Sequence, residues 1–155
     1  MSDRKEKIIE VAEGLIPDIW QRSSMETGQF CEKRSRELAE GFLLVIEQGI
    51  RQIIRDGGKE SLEQIRYLLF SCLHSSIFSK KYLVRMELAG EELYLKEPLT
   101  VVYWDAGDIY RLFERDIESI RRGMDFKIPR IRSYEVDEIR YAYAPYYHAV
   151  SYTHL

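Results

Sequence analysis

The sequence is short of almost everything that would mark a specialised chemistry. Only two cysteines, Cys31 and Cys72, occur in 155 residues. With no C-x-x-C spacing, neither a disulfide framework nor a zinc ribbon is indicated, and both read as buried thiols. The longest nearly unbroken apolar stretch is Tyr67-Leu68-Leu69-Phe70 with Ser71-Cys72-Leu73 behind it, far below the roughly 20 residues that cross a bilayer. The amino terminus, Met1-Ser2-Asp3-Arg4-Lys5-Glu6-Lys7, leads into amphipathic sequence instead of an apolar signal core, so a cytoplasmic location is expected and membrane partners are not. Phosphate-binding loops, dinucleotide fingerprints, zinc-protease helices and nucleophile elbows are all missing. Positive charge is not in excess: 23 cationic against 26 acidic residues leave a formal net charge of -3, which disfavours nucleic acid as a partner of the whole molecule.

What is present is an ordinary globular composition, 45% hydrophobic and 32% charged, without repeats or low-complexity stretches. A chain of this length buries roughly 70% of its unfolded surface. A single domain over residues 1–155 is therefore expected, needing neither metal nor cofactor to hold it together.

Hydrophobic spacing predicts about five helices. The first, from about Asp3 to Arg22, carries Ile8, Ala12, Leu15, Ile16 and Ile19 on one face with Ser2 as N-cap, and Pro17 is expected to kink or stop it. Ser23, Ser24 and Gly28 then suggest a connection. The second, from about Gln29 to Arg55, carries Leu38, Phe42, Val45, Ile46, Gly49, Ile50 and Ile53 on one stripe and ends at Asp56-Gly57-Gly58. Gly41 and Gly49, eight apart, suggest close approach of another helix. That helix is expected from Lys59 through Ile77, opened by a capping-box-like Ser61-x-x-Gln64, so that segments two and three form a long antiparallel pair.

After Ser79 the period changes to two. Tyr82, Val84, Met86 and Leu88 alternate with Leu83, Arg85 and Glu87, and Leu93 and Leu95 with Glu92, Tyr94 and Lys96, predicting a β-hairpin at about 81–97 that turns near Ala89-Gly90-Glu91. Its apolar face should lie on the helices, with pairing to a strand at Leu99 to Tyr103 as the alternative. A fourth helix follows, with Asp105 and Asp108 as capping carboxylates and Ile109, Leu112, Phe113, Ile117 and Ile120 as its buried stripe to Gly123. A fifth resumes with Val136, Ile139 and Tyr143 despite Pro145. The fold class is thus mainly α (α+β). The chain stops at Leu155 just after an aromatic stretch, so either that end docks or the sequence is a fragment.

Five constellations could carry function. Cys72 and His74 are close in sequence, but positions i and i+2 of a helix point about 200 degrees apart, which argues against a shared metal. His148 and His154 read as an exposed C-terminal pair, and no metal or other cofactor is expected. Asp105, Asp108, Glu114, Asp116 and Glu118 fall within fourteen residues, yet no adjacent nucleophile accompanies them, and capping and the Glu118–Arg122 spacing account for most. From Arg121 to Arg132, the cations Arg121, Arg122, Lys127, Arg130 and Arg132 oppose only Asp125, with Phe126 and Tyr134 interleaved. This stretch suits an anion or nucleic acid, though neutralisation of neighbouring acids is the simpler role. Six of the eleven tyrosines, including Tyr134, Tyr141, Tyr143, Tyr146, Tyr147 and Tyr152, lie in the last 22 residues, a composition found in interface cores.

The leading expectation is a non-catalytic protein-interaction or regulatory module, self-associating as a homodimer through Tyr141, Tyr143, Tyr146 and Tyr147. Two alternatives stand beside it. One is a small-molecule-binding protein or enzyme with Tyr103, Asp105, Asp108 and Arg111 at the mouth of a site between hairpin and fourth helix. The other is nucleic-acid binding through the basic connection 121–132.

Overall fold

A computed structural model of the chain describes residues 2–153; Met1, His154 and Leu155 lie outside them, as do the side chains of Ser2 and of residues 150–153, Tyr152 among them. Five α-helices, one 3₁₀ helix and three strands follow one another among these residues: α1 (Ser2–Lys33), α2 (Ser35–Gly57), the 3₁₀ helix (Lys59–Gln64), β1 (Tyr67–Cys72), α3 (His74–Phe78), β2 (Leu83–Ala89), β3 (Thr100–Asp105), α4 (Phe113–Met124) and α5 (Ser133–Thr153). The protein is mainly helical with an antiparallel sheet, the expected class. The chain forms two compact units, one of residues 1–34 and 107–155, the other Ser35–Ala106.

The first unit gathers α1, α4 and α5. Helix α1 runs through Pro17 without a break, and the expected connection at Ser23, Ser24 and Gly28 is helix. A buried stripe continues on both sides of the proline: Ile8, Ala12, Ile16 and Ile19, then Ser23, Thr27 and Cys31. Packing along an uninterrupted face outweighs the one hydrogen bond that proline removes. The break falls instead at Arg34, so α2 is shorter than the sequence suggests. Helix α4 presents Phe113, Asp116, Ile117, Ile120 and Met124 to the interior. Its N-cap position is Leu112, without a side-chain cap. Asp105 and Asp108 therefore do not cap it, because turns from 107 to 112 separate them from the first helical residue.

Helix α5 is opened by Glu135. Its Oε2 accepts the backbone N–H of Arg132 at 2.8 Å, while Oε1 accepts Arg4 Nε at 2.6 Å. This is the reciprocal half of a capping box, with an arginine from α1 added. The hydrogen bond from Arg4 and then the one from Arg132 hold the Glu135 carboxyl at about 2 against an ordinary 4.5. Because the folded value is depressed, the stabilisation from Glu135 is complete above about pH 4.5 and is lost as the pH falls from there toward 2. Thermal melts of wild type and Glu135→Gln are expected to differ at pH 6 and to converge near pH 2.5. Curves that stay parallel across that window would contradict the assignment.

The second unit is a three-stranded antiparallel sheet in the order β1-β2-β3, backed by α2. Tyr67 lies opposite Ala89 and Cys72 opposite Val84; Leu83 lies opposite Asp105 and Leu88 opposite Thr100. Val84, Met86 and Leu88 of the central strand are buried. Phe42 of α2 stacks on Phe70 of β1 at 5.7 Å and meets Trp104 of β3 edge-on at 5.8 Å.

Three expectations are corrected here. The long antiparallel pair of segments two and three does not form, because the apolar run after Arg66 is strand β1. An apolar run of this length suits a buried strand as well as a helix, and pairing with β2 decides it. Ser61 does not cap the 3₁₀ helix; its hydroxyl donates to the Gly57 carbonyl at 2.8 Å. The second hairpin arm is not Leu93–Lys96, which forms a turn with Leu95 and Lys96 amides on the Glu92 carbonyl. The returning strand is β3, where Thr100, Val101 and Val102 supply β-branched residues suited to a pleated surface.

The glycines divide. Gly49 is approached by strands, not by a helix: a Cβ there would lie 3.2 Å from Leu88 and 3.3 Å from Thr100. Gly41 has nothing within 4 Å of that position. Gly58 closes α2 with φ +77 and donates to the Ile54 carbonyl, the glycine stop expected from sequence.

Candidate functional site

The most concentrated polar chemistry among the described residues lies inside the first unit, around Asp116. Its place on α4, three after Phe113 and four before Ile120, puts a carboxylate on the apolar stripe. Helices α1 and α5 supply its partners. Ser23 Oγ donates to Oδ1 at 2.7 Å, and Tyr143 Oη and Tyr147 Oη donate to Oδ2 at 2.7 and 2.8 Å. Arg115 Nη2 stands 3.5 Å from Oδ1, donates to Ser23 Oγ at 3.2 Å and shares its guanidinium with Glu26. Asp116, Tyr143 and Tyr147 are all fully buried or nearly so.

Aromatic rings close the shell. Tyr143 stacks on Phe113 at 5.6 Å, Tyr147 stacks on Tyr110 at 5.3 Å, and Trp20 meets Tyr147 edge-on at 5.1 Å. Burial, and next the hydrogen bond to Asp116, push both phenols far above their ordinary range. They remain protonated donors at any ordinary pH. A carboxylate offers about four acceptor positions; two tyrosines and a serine donate to three of them, and Arg115 adds an ion pair at 3.5 Å. A cavity of about 260 Å³ opens onto the group, lined by Asp116 itself together with Ile19, Arg22, Ser23, Glu26, Arg115 and Ser119. Both oxygens of Asp116 have internal donors, one from α1 and two from α5, so the arrangement fastens three helices together.

The residues expected to line a small-molecule site are not gathered by either unit. Tyr103 and Asp105 lie on β3 in the second unit; Asp108 and Arg111 lie in the turns before α4 in the first. Arg111 sits over the Phe30 ring at 4.3 Å. Close by, burial pushes the Cys31 thiol up, with Arg111 pulling the other way. None of the four lines the cavities of about 540 and 350 Å³ in the second unit or of about 630 and 260 Å³ in the first.

The basic connection is neutralised at its first two arginines. Arg121 and Arg122 both hold Glu118, whose carboxyl their hydrogen bonds draw down to about 2. Arg121 also reaches Asp125 at 3.6 Å. Arg132 donates to Tyr134 Oη at 3.0 Å and stands over that ring. It lines the 630 Å³ groove with Arg4 and Lys5, which are paired with Glu135 and Glu138. Lys127 and Arg130 are exposed, and the Arg130 carbonyl accepts from Arg4.

The acidic cluster is likewise dispersed: Glu114 binds Arg140, Asp116 the tyrosines, and Glu118 the arginines. Tyr143 and Tyr147, expected at an interface, are buried in the first unit, where their faces stack on Phe113 and Tyr110. Tyr141 and Tyr146 do reach the surface. His148 is half-buried, 6.2 Å from the Tyr110 ring, instead of exposed. Cys72 ends β1 and His74 begins α3, and no group of three or more His, Cys, Asp or Glu could hold a metal among the described residues. No described helix is long and apolar enough to cross a membrane.

Compared with known proteins, the chain matches no family model, no curated protein sequence and no solved structure.

Proposed function

We propose that the chain is a non-catalytic protein-interaction module whose contact surface is carried by its sheet unit instead of its tyrosine-rich helix. The observation that supports this reading is the sheet face opposite α2. Strand alternation puts Tyr67, Leu69 and Ser71 of β1, Arg85 and Glu87 of β2, and Val101 and Tyr103 of β3 on that face. Tyr67 is 44% and Tyr103 51% exposed. Arg85 and Glu87 pair at 2.6 Å between them. Aromatic side chains around an arginine form the composition enriched in contact surfaces, where rigid rings bury area at small entropic cost. A shallow cavity of about 350 Å³ between Leu69, Glu87 and the loop carrying Tyr94, Leu95 and Pro98 gives the face relief. The Asp116 cluster joins α1, α4 and α5 in the first unit's core.

Cross-linking in cells that produce the protein, followed by mass spectrometry, tests the reading. The double variant Tyr67→Lys/Tyr103→Lys is expected to lose the cross-linked partners. Phe126→Ser, which alters a fully exposed side chain of the first unit, is expected to keep them. No partner, or a set indifferent to the sheet-face change, would overturn the proposal.

A further inference from the structure

We propose that β1 is a self-pairing edge: two copies of the chain join antiparallel along β1, with Phe70 opposite Phe70, into one continuous six-stranded sheet. The inference rests on the interaction-module reading and names one partner as a second copy.

The phase of the ladder identifies which backbone groups are open. The Leu73 amide donates to the Leu83 carbonyl, and the Ala106 amide to the Tyr82 carbonyl. Hydrogen-bonded pairs alternate along an antiparallel ladder. With the observed register, Tyr67, Leu69 and Ser71 therefore turn their amides and carbonyls toward β2. Leu68, Phe70 and Cys72 turn theirs outward. The two anchoring bonds agree, since they assign odd residues of β2 to β1 and even residues to β3.

Strand β1 also lacks the devices that keep sheet edges from pairing. It has no charge, proline or glycine from Tyr67 to Cys72, whereas β3, the other edge, ends in Asp105. Tyr67 and Leu68 are exposed.

Symmetry supplies the register. Identical antiparallel neighbours are related by a two-fold axis perpendicular to the sheet, which keeps each face on its own side. Each residue must then meet one of the same parity. Centring on Phe70 sets Leu68 opposite Cys72 of the second copy and engages every outward amide and carbonyl of the three residues. Centring on Leu69 leaves Cys72 unused. In the Phe70 register, side chains pair as Phe70 with Phe70, Leu68 with Cys72 and Leu69 with Ser71, and no charge faces another across the strands. The contact is one strand long, well short of the roughly 800 Å² per partner of a standard interface, so the expected dimer is reversible and micromolar or weaker.

Sedimentation velocity of the full chain from low micromolar to millimolar concentration is expected to show a monomer passing to a dimer. Leu68→Pro removes one outward N–H without touching the β2 ladder and is expected to weaken association at least tenfold, with Leu68→Ala as its comparison. The register is tested by cross-linking on a Cys72→Ser background. Leu69→Cys mixed with Ser71→Cys should give a disulfide-linked heterodimer on oxidation, because non-hydrogen-bonded pairs hold Cα atoms about 4.5 Å apart, within disulfide reach. Each variant alone should give little. A monomer at every concentration with no excess cross-link in the mixture would overturn self-pairing, as would Leu69→Cys linking efficiently to itself. A monomer whose other partners still depend on Tyr67 and Tyr103 would overturn self-pairing alone and leave the module reading standing.

Discussion

Replacing Asp116 with alanine is expected to lower the stability of the first unit by about 3–5 kcal/mol, the range for removing one partner of a buried charged network. Three hydroxyls, those of Ser23, Tyr143 and Tyr147, would lose their acceptor inside a packed interior, and each buried unsatisfied group costs about 1–3 kcal/mol. Arg115 would keep Glu26 but lose its second anion. Asp116→Asn retains the shape and one good acceptor, so a smaller loss of about 1–2 kcal/mol is expected. The apolar replacement Asp116→Leu with Ser23→Ala, Tyr143→Phe and Tyr147→Phe removes donors and acceptor together, and should recover most of what alanine loses. The two tryptophans make the measurement clean, since Trp20 lies in the first unit and Trp104 in the second. Urea unfolding followed by Trp20 fluorescence on a Trp104→Phe background reports the first unit. A loss below about 1 kcal/mol for Asp116→Ala would show that the carboxylate does not anchor the helices.

Much of this unit was legible. The stripes of α4 and α5 follow a 3.6-residue period, and the Glu118–Arg122 pair was readable from its i,i+4 spacing. What escaped was the polar part of the core. Ser23, with Ser24 and Gly28, looks like part of a connection, yet a small side chain on a buried stripe lets a partner helix approach and offers a hydroxyl. Two signals pointed to the network: an acid on the apolar stripe of α4, and Tyr143 and Tyr147 four apart on one face of α5. Neither reveals its partner from α1, because Ser23 and Asp116 are 93 residues apart.

In the second unit the central strand β2 was legible from its alternation, whereas β1 was not. A six-residue apolar run has no period that separates strand from helix, and only its pairing with β2 settles the matter. The open edge of β1 was invisible for the same reason, since an edge exists only once strand order is known. The four residues expected at the mouth of a small-molecule site are close in sequence but divide between the two units, Tyr103 and Asp105 in one and Asp108 and Arg111 in the other.

In the second unit, Trp104→Ala is expected to cost about 3–5 kcal/mol, the usual range for truncating a buried aromatic. Trp104 is 5% exposed and meets Phe42 at 89°. Phe42 itself stacks on Phe70 with planes 29° apart, so one ring of α2 touches both outer strands while the central strand lies buried between them. Removing the indole leaves a void between helix and sheet that Val84, its cross-strand neighbour, is too small to fill. Phe42→Ala should cost about 3 kcal/mol by the same argument. The double variant should lose less than the sum by about 0.5–1.5 kcal/mol, the coupling expected of an edge-to-face pair in contact. Hydrogen exchange at the amides of Val84, Met86 and Leu88 is the measurement of choice, because the ladder phase directs these amides to β3. Their protection should fall by about a hundredfold or more in Trp104→Ala, each 1.4 kcal/mol being tenfold. If that protection is unchanged while the β1-facing amides of Arg85 and Glu87 open, the phase itself is wrong, and with it the outward set of groups on which self-pairing depends.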